Sequence, residues 1–170
     1  DGSLWAMGYN YYGQLGRPPW AYNPPDPKKI VDANVTAVAA GNNHSLFIKS
    51  DGSLWAMGYN NYGQLGDGTT TQRTSPVKVV ASGVTAVATG GSHSLFLKSD
   101  GSLWAMGSDI DGQLGNGPAS SANIHTPEQI VASGVTAVSA GNDHSLFLKS
   151  DGSLWAMGKD TDGQLGNGAN

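Results

Sequence analysis

The sequence contains no cysteine, which excludes disulfides, thiolate catalysis and thiolate-ligated metals. Charge is scarce: Asp, Glu, Lys and Arg make up 13% of the 170 residues, about half the usual ~25%. Positive charge is the scarcer sign, with 9 Lys and Arg against 13 Asp and Glu, for a net charge of −4. A nucleic-acid partner requires a basic footprint, so this balance argues against one. No apolar run approaches the ~18 residues of a membrane-spanning helix. Glycine is abundant, with 25 residues, about twice the average usage of ~7%. At 38% hydrophobic residues, the chain still carries more apolar material than a disordered one.

Internal repetition dominates the sequence. DGSLWAMG occurs four times, from Asp1, Asp51, Asp100 and Asp151, at spacings of 50, 49 and 51 residues. GQLG follows each copy, from Gly13, Gly63, Gly112 and Gly163. VTAV begins at Val35, Val84 and Val135, and HSLF at His44, His93 and His144. A unit of this length suits a four-stranded propeller blade or a long helical repeat. Gly and Pro recur in every unit and no segment keeps a 3.6-residue apolar period, which excludes the helical option. Residues 1–170 therefore read as one repeat array, with both ends inside a repeat.

Four strands per unit are legible, here called A to D in chain order. Val35–Ala40 is A, Ser45–Lys49 is B and Ser53–Met57 is C. Asp51-Gly52 between B and C is the composition of a tight I′ hairpin. Val77–Val80, after Pro76, is the weaker D, placed at the outer edge where a proline is tolerated. Strand A, rich in Ala and Val, suits a crowded axis. The order C-D, A-B-C-D, A-B-C-D, A-B-C gives thirteen strands. Closed propellers use about 4–8 blades, so the expectation is of a ring left incomplete by this chain and continued by more chain or by other copies.

G-x-x-H-S-L-F-L, then D-G-x-L-W-A-x-G, then G-Q-L-G, resembles the regulator of chromosome condensation repeat. The resemblance covers the whole chain and implies an all-β propeller of four-stranded antiparallel blades, seven in family members. Met7, Met57, Met106 and Met157 stand where the family more often has a second Trp. Light-sensing members carry Gly-Trp-x-His; here the matching pairs are Asn42-Asn43, Gly91-Ser92 and Asn142-Asp143. Trp5, Trp55, Trp104 and Trp155 are thus expected to pack blade against blade.

His44, His93 and His144 open strand B in successive blades, too far apart to share a zinc ion at ~2.1 Å. Asp109-Ile110-Asp111 and Asp160-Thr161-Asp162 hint at calcium, but the later bidentate acid of a calcium loop does not follow. Ser45, His44 and Asp51 make a triad on paper only, because the trio recurs with the scaffold. GQLG lacks the lysine and helix of a phosphate loop. No catalytic group, cofactor or metal is expected.

The units differ in two loops. One follows strand C and reads YNYY, YNNY, SDID and KDTD; the other runs from GQLG to the strand-D proline. All six tyrosines lie there: Tyr9, Tyr11, Tyr12, Tyr22, Tyr59 and Tyr62. So does the unrepeated Trp20, among Pro18, Pro19, Pro24 and Pro25. Tyr and Trp dominate interface hot spots because they combine area with a polar handle. These seven residues are the candidate partner-binding set, with Trp20 and Tyr22 equally suited to folding over their own blade.

The expected function is a non-catalytic scaffold for protein binding or self-assembly. A protein-binding inhibitor acting through loops on one face and an exchange-factor-like regulator of a small GTPase are the alternatives. The low charge and the abundance of Gly, Asn, Ser and Thr resemble bacterial secreted or surface proteins, which gives an extracellular or cell-surface expectation.

Overall fold

The computed structural model describes residues 1–19, 26–119 and 122–168. Among the described residues, thirteen strands form four antiparallel sheets. β1 (Leu4–Ala6) pairs with β2 (Lys28–Val31). β3 (Val35–Ala40), β4 (His44–Lys49), β5 (Leu54–Gly58) and β6 (Arg73–Val80) form the second sheet in chain order. β7 (Val84–Thr89), β8 (His93–Lys98), β9 (Leu103–Gly107) and β10 (Ile124–Val131) form the third. β11 (Val135–Ala140), β12 (His144–Lys149) and β13 (Leu154–Gly158) form the last. The architecture is all-β: about three propeller blades and an incomplete ring. Among the described residues no helix is long and apolar enough to cross a membrane.

The period-2 alternation of each strand splits its side chains between two blade faces. Leu95, Leu97, Leu103 and Ala105 form one face of the β7–β10 blade and pack with Val135 and Phe147 of the next blade. Phe96 and Met106 form the other face and pack with Leu46, Ile48, Leu54 and Ala56 of the preceding blade. Each blade thus offers a leucine face to its successor and a Phe–Met face to its predecessor.

Two local details differ from the sequence expectation. The hairpin between strands B and C is not a I′ turn. Gly52 has φ +74° but Asp51 is not in the left-handed region, and the Gly52 N–H donates to the Lys49 carbonyl at 2.8 Å. This is a three-residue loop: a type I turn closed by a left-handed glycine. Asp51 stabilises it by accepting the Ser53 N–H at 2.9 Å and the Ser53 hydroxyl at 2.6 Å. Strand D is also longer than expected, starting at Arg73 rather than after Pro76. The ladder shifts register between Ala56↔Val77 and Gly58↔Arg73. Pro76, which has no N–H to donate, sits inside that shift on the outer edge strand.

Candidate interaction face

The loop after strand C is built by two side chains that serve its backbone. Asn10 Oδ1 accepts the Leu15 N–H at 2.9 Å, and Asn60 Oδ1 accepts the Leu65 N–H at 3.0 Å. Gln14 and Gln64 Oε1 accept the N–H of Tyr12 and Tyr62, each at 3.0 Å. Leu15 and Leu65 are buried. With the Asn, Gln and Leu turned inward, the tyrosines are left to the surface.

They meet there. Tyr9 stacks on Tyr11 at 6.3 Å, and Tyr11 lies edge-on to Tyr12 at 5.0 Å. Tyr12 crosses to the next unit and touches Tyr59 at 4.7 Å; Tyr59 continues to Tyr62 at 6.1 Å. Five of the seven expected residues therefore form one aromatic strip spanning two units. Tyr9 and Tyr11 are 54% and 64% exposed, while Tyr12, Tyr59 and Tyr62 are half-buried. Burial raises the Tyr59 phenol above its ordinary value, and Tyr62 and Tyr12 push the same way. Trp20 and Tyr22 lie outside the described residues.

Beneath the loops, a polar clasp joins neighbouring blades. Ser94 donates its hydroxyl to the Gln64 carbonyl at 2.7 Å, and His44 Nε2 lies 2.9 Å from the same hydroxyl oxygen. A serine has one proton to give, so the imidazole is the donor and carries its hydrogen on Nε2. His93, Ser145 and Gln113 repeat the arrangement at 2.9 and 2.7 Å. Nδ1 of both histidines is buried without a partner. Burial pushes His44 down to about 3, with His93 beside it acting the same way, and His93 down to about 4. GQLG is thereby explained. Its Gln holds the loop and receives the clasp, its Leu enters the core, and its last Gly meets the next blade's Met: a Cβ on Gly66 would run into Met106 Sδ.

The paper triad does not assemble. His44 bonds Ser94 rather than Ser45, whose hydroxyl goes to the Gln14 carbonyl at 2.9 Å, and Asp51 serves its own turn. Among the described residues no three His, Asp or Glu side chains are grouped to hold a metal. Of the strand-C tryptophans, Trp104 packs against the preceding blade as expected; Trp55 and Trp104 are half-buried, and Trp5 and Trp155 are 53% and 50% exposed. Trp104 lies against the cluster containing Leu46 and Leu54. It stacks on Phe96 at 6.0 Å, is covered by Lys98 at 4.1 Å from the ring centre, and donates to Ser102 Oγ at 2.8 Å. The lysine cover recurs: Lys49, Lys98 and Lys149, each two residues after the Phe of HSLF, lie over Trp55, Trp104 and Trp155.

A family model, the regulator of chromosome condensation (RCC1) repeat, matches residues 1–48, 51–97 and 100–148. A second model of the same repeat matches residues 35–64, 84–113 and 135–164. No curated protein matches the sequence. Among solved structures, human WBSCR16 is similar at 28% identity and a TM-score of 0.81, over 92% of this chain and 42% of that one. Yeast RCC1 (Prp20), solved with Kap60 bound to it, is similar at 23% identity and a TM-score of 0.83, over 94% of this chain and 40% of that one. Prp20p from Saccharomyces cerevisiae, studied for its binding to Gsp1p and histones, gives 23% identity and a TM-score of 0.81, over 92% and 41%. At that identity the likeness to Prp20 shows the fold. The chain spans about two fifths of the length of these relatives.

Proposed function

Because the chain belongs to the regulator of chromosome condensation repeat family, we propose that it is a non-catalytic β-propeller scaffold whose partner is a protein, contacted through the tyrosine strip. The observation that carries this reading is the continuity of Tyr9, Tyr11, Tyr12, Tyr59 and Tyr62 across two units. A structural role would need only the inward Asn or Asp, Gln and Leu, which the other units keep as Asp109, Gln113 and Leu114 and as Asp160, Gln164 and Leu165, without tyrosines. Tyrosine supplies large area with little rotamer entropy to lose, which suits a contact surface. Prp20 is solved with a protein bound, which is in keeping with this reading.

The same scaffold is completed by further blades, from more chain or from other copies. This second reading is favoured by apolar side chains left open on the outer blade faces, Leu154 at 68% and Val38 at 60% exposure. Its composition suits a cell-surface or extracellular setting.

The tyrosine reading is tested by replacing Tyr9 and Tyr11 together with Ser. Affinity for the protein partner, or the mass of the self-assembled particle in light scattering, is expected to fall. The β-sheet spectrum and melting temperature are expected to hold, because both side chains are more exposed than buried. Unchanged association in this variant would show that the strip is not the contact.

A further inference from the structure

The loop between GQLG and strand D carries one pair of residues whose chemistry changes from unit to unit. The second unit has Asp67-Gly68 where the third has Asn116-Gly117 and the fourth Asn167-Gly168. Asp67 is held from several sides. It accepts the Thr69 N–H at 3.0 Å and the Thr69 hydroxyl at 2.8 Å, and it pairs with Arg73 Nε at 2.6 Å. The Gly68 N–H donates to the His125 carbonyl at 2.9 Å.

Asn116 has none of these holds. Its amide donates to Glu128 Oε2 at 2.9 Å, and both residues are exposed. Ile124 stands across from Gly107 where Arg73 stands across from Gly58, so the cation of the second unit is missing. The Gly117 N–H has no partner among the described residues. Gly117 has φ +141°, a conformation left to glycine, and a Cβ there would meet nothing within 4 Å. A backbone nitrogen free of hydrogen bonds and of side-chain cover thus follows an exposed carboxamide. Apart from Asn167 and Asn170, every other asparagine is followed by a residue whose side chain shields that nitrogen.

We propose that Asn116-Gly117 is a self-modification site, which converts to aspartate and isoaspartate and thereby loosens the loop leading into β10. The Gly117 nitrogen attacks Asn116 Cγ as its proton passes to a solvent base. The new N–C bond closes a cyclic imide; the Cγ–Nδ2 bond breaks, and Nδ2 takes a proton back from solvent and leaves as ammonia. Water then opens the imide at either carbonyl, one water consumed for each ammonia released. Opening at one carbonyl gives aspartate; opening at the other leaves the main chain running through the side-chain carbons, as isoaspartate. Either product is a carboxylate, which accepts and cannot donate. The bond to Glu128 is therefore lost and two like charges face each other. Asp67 carries its charge against Arg73, whereas among the described residues no ion pair reaches Glu128. Burial holds the Asp109 carboxyl above its ordinary value and Glu128 pushes the same way, so the new charge enters a loop where two carboxylates already act on each other.

The intact chain is incubated at mildly alkaline pH and mapped by peptide mass spectrometry, which reads the mass gain of an amide-to-acid exchange. Asn116 and Asn167, which share the dipeptide, are expected to change first and faster as pH rises, with isoaspartate at position 116 and none at Asp67. Gly117→Ala is expected to slow the change at Asn116 and to leave that at Asn167 as it was. Asn116→Asp, standing in for the product, is expected to speed hydrogen exchange at the start of β10, less so at high salt, which screens exposed charges. Glu128→Gln in the same chain is expected to restore the protection. An Asn116 that reacts no faster than Asn42 or Asn142, which are also exposed, overturns the site. Hydrogen exchange unchanged in Asn116→Asp overturns the loosening.

Discussion

Phe96 and Trp104 divide the work of one blade face between two kinds of burial. The phenyl ring is fully buried and touches leucines of the preceding blade. The indole lies outside it, stacked at 6.0 Å and covered by Lys98. Phe96→Ala should therefore cost about 3–5 kcal/mol, the range for emptying a large core site. Trp104→Ala should cost less. Trp155→Ala should cost least, because its ring is 50% exposed with no following strand D described against it. Chemical denaturation of the three variants gives this order directly; equal costs would show that the indoles carry the packing themselves. The packing of these tryptophans was legible in the sequence because they recur at one position of strand C. Their half-exposure was not, since it depends on where Lys98 reaches from the neighbouring strand. The turn at Asp51-Gly52 shows the same limit. The dipeptide announces a hairpin, but the choice between a two-residue and a three-residue loop rests on the Ser53 bonds to Asp51.

Between elements, the histidine–serine clasps tie stability to pH. Both imidazoles are held neutral, at about 3 for His44 and about 4 for His93, whereas an unfolded histidine titrates near 6.5. Between these values the unfolded chain binds protons that the folded chain does not. Stability is therefore complete above about pH 6.5 and is lost as pH falls toward 4 and then 3, by up to ~1.4 kcal/mol per pH unit per histidine. A urea series from pH 7 to pH 4 should show this slope, and His93→Gln, which can still donate to Ser145, should flatten it. A slope unchanged by His93→Gln would place the acid sensitivity elsewhere. Ser94→Ala should cost about 1–3 kcal/mol, because it strands the buried His44 Nε2–H and the Gln64 carbonyl together. Ser45→Ala should cost less, since Ser45 makes only the Gln14 bond of this set. The strand pattern that places these clasps was legible throughout: all four sheets and their order follow from the repeated motifs. The clasp was not, because it links residues about fifty positions apart, as in His44 and Ser94, and nothing in either unit alone indicates the partner. The tyrosine strip was legible as a set of residues, and its continuity came from the packing of adjacent blades.

At the scale of the molecule, the repeat itself shows what each blade face needs. Leu54 and Leu103 are fully buried by the blade that follows, whereas the equivalent Leu154 is 68% exposed. Val87 and Val138 pack against the blade that precedes them, whereas the equivalent Val38 is 60% exposed. Val38 also lines an apolar cavity of about 250 Å³ with Leu4, Met7, Leu15, Leu46 and Met57. The leucine face and the valine face are the two halves of an interface that the chain itself makes twice. Open apolar faces beside unpaired strand edges favour association, and a head-to-tail contact between unlike faces gives a ring when the rotation closes and a filament when it does not. We therefore expect the chain in solution to associate through these faces when no further blades cover them. Leu154→Lys should reduce the particle mass in light scattering, because it places a charge where Leu103 is buried in the internal interface. The amides of β9, inside the four-stranded third sheet, should keep their protection from hydrogen exchange in the same variant. A stable 17.5 kDa monomer whose β2 and β13 amides resist hydrogen exchange would show that the outer sheets need no cover, and the completion reading would fall.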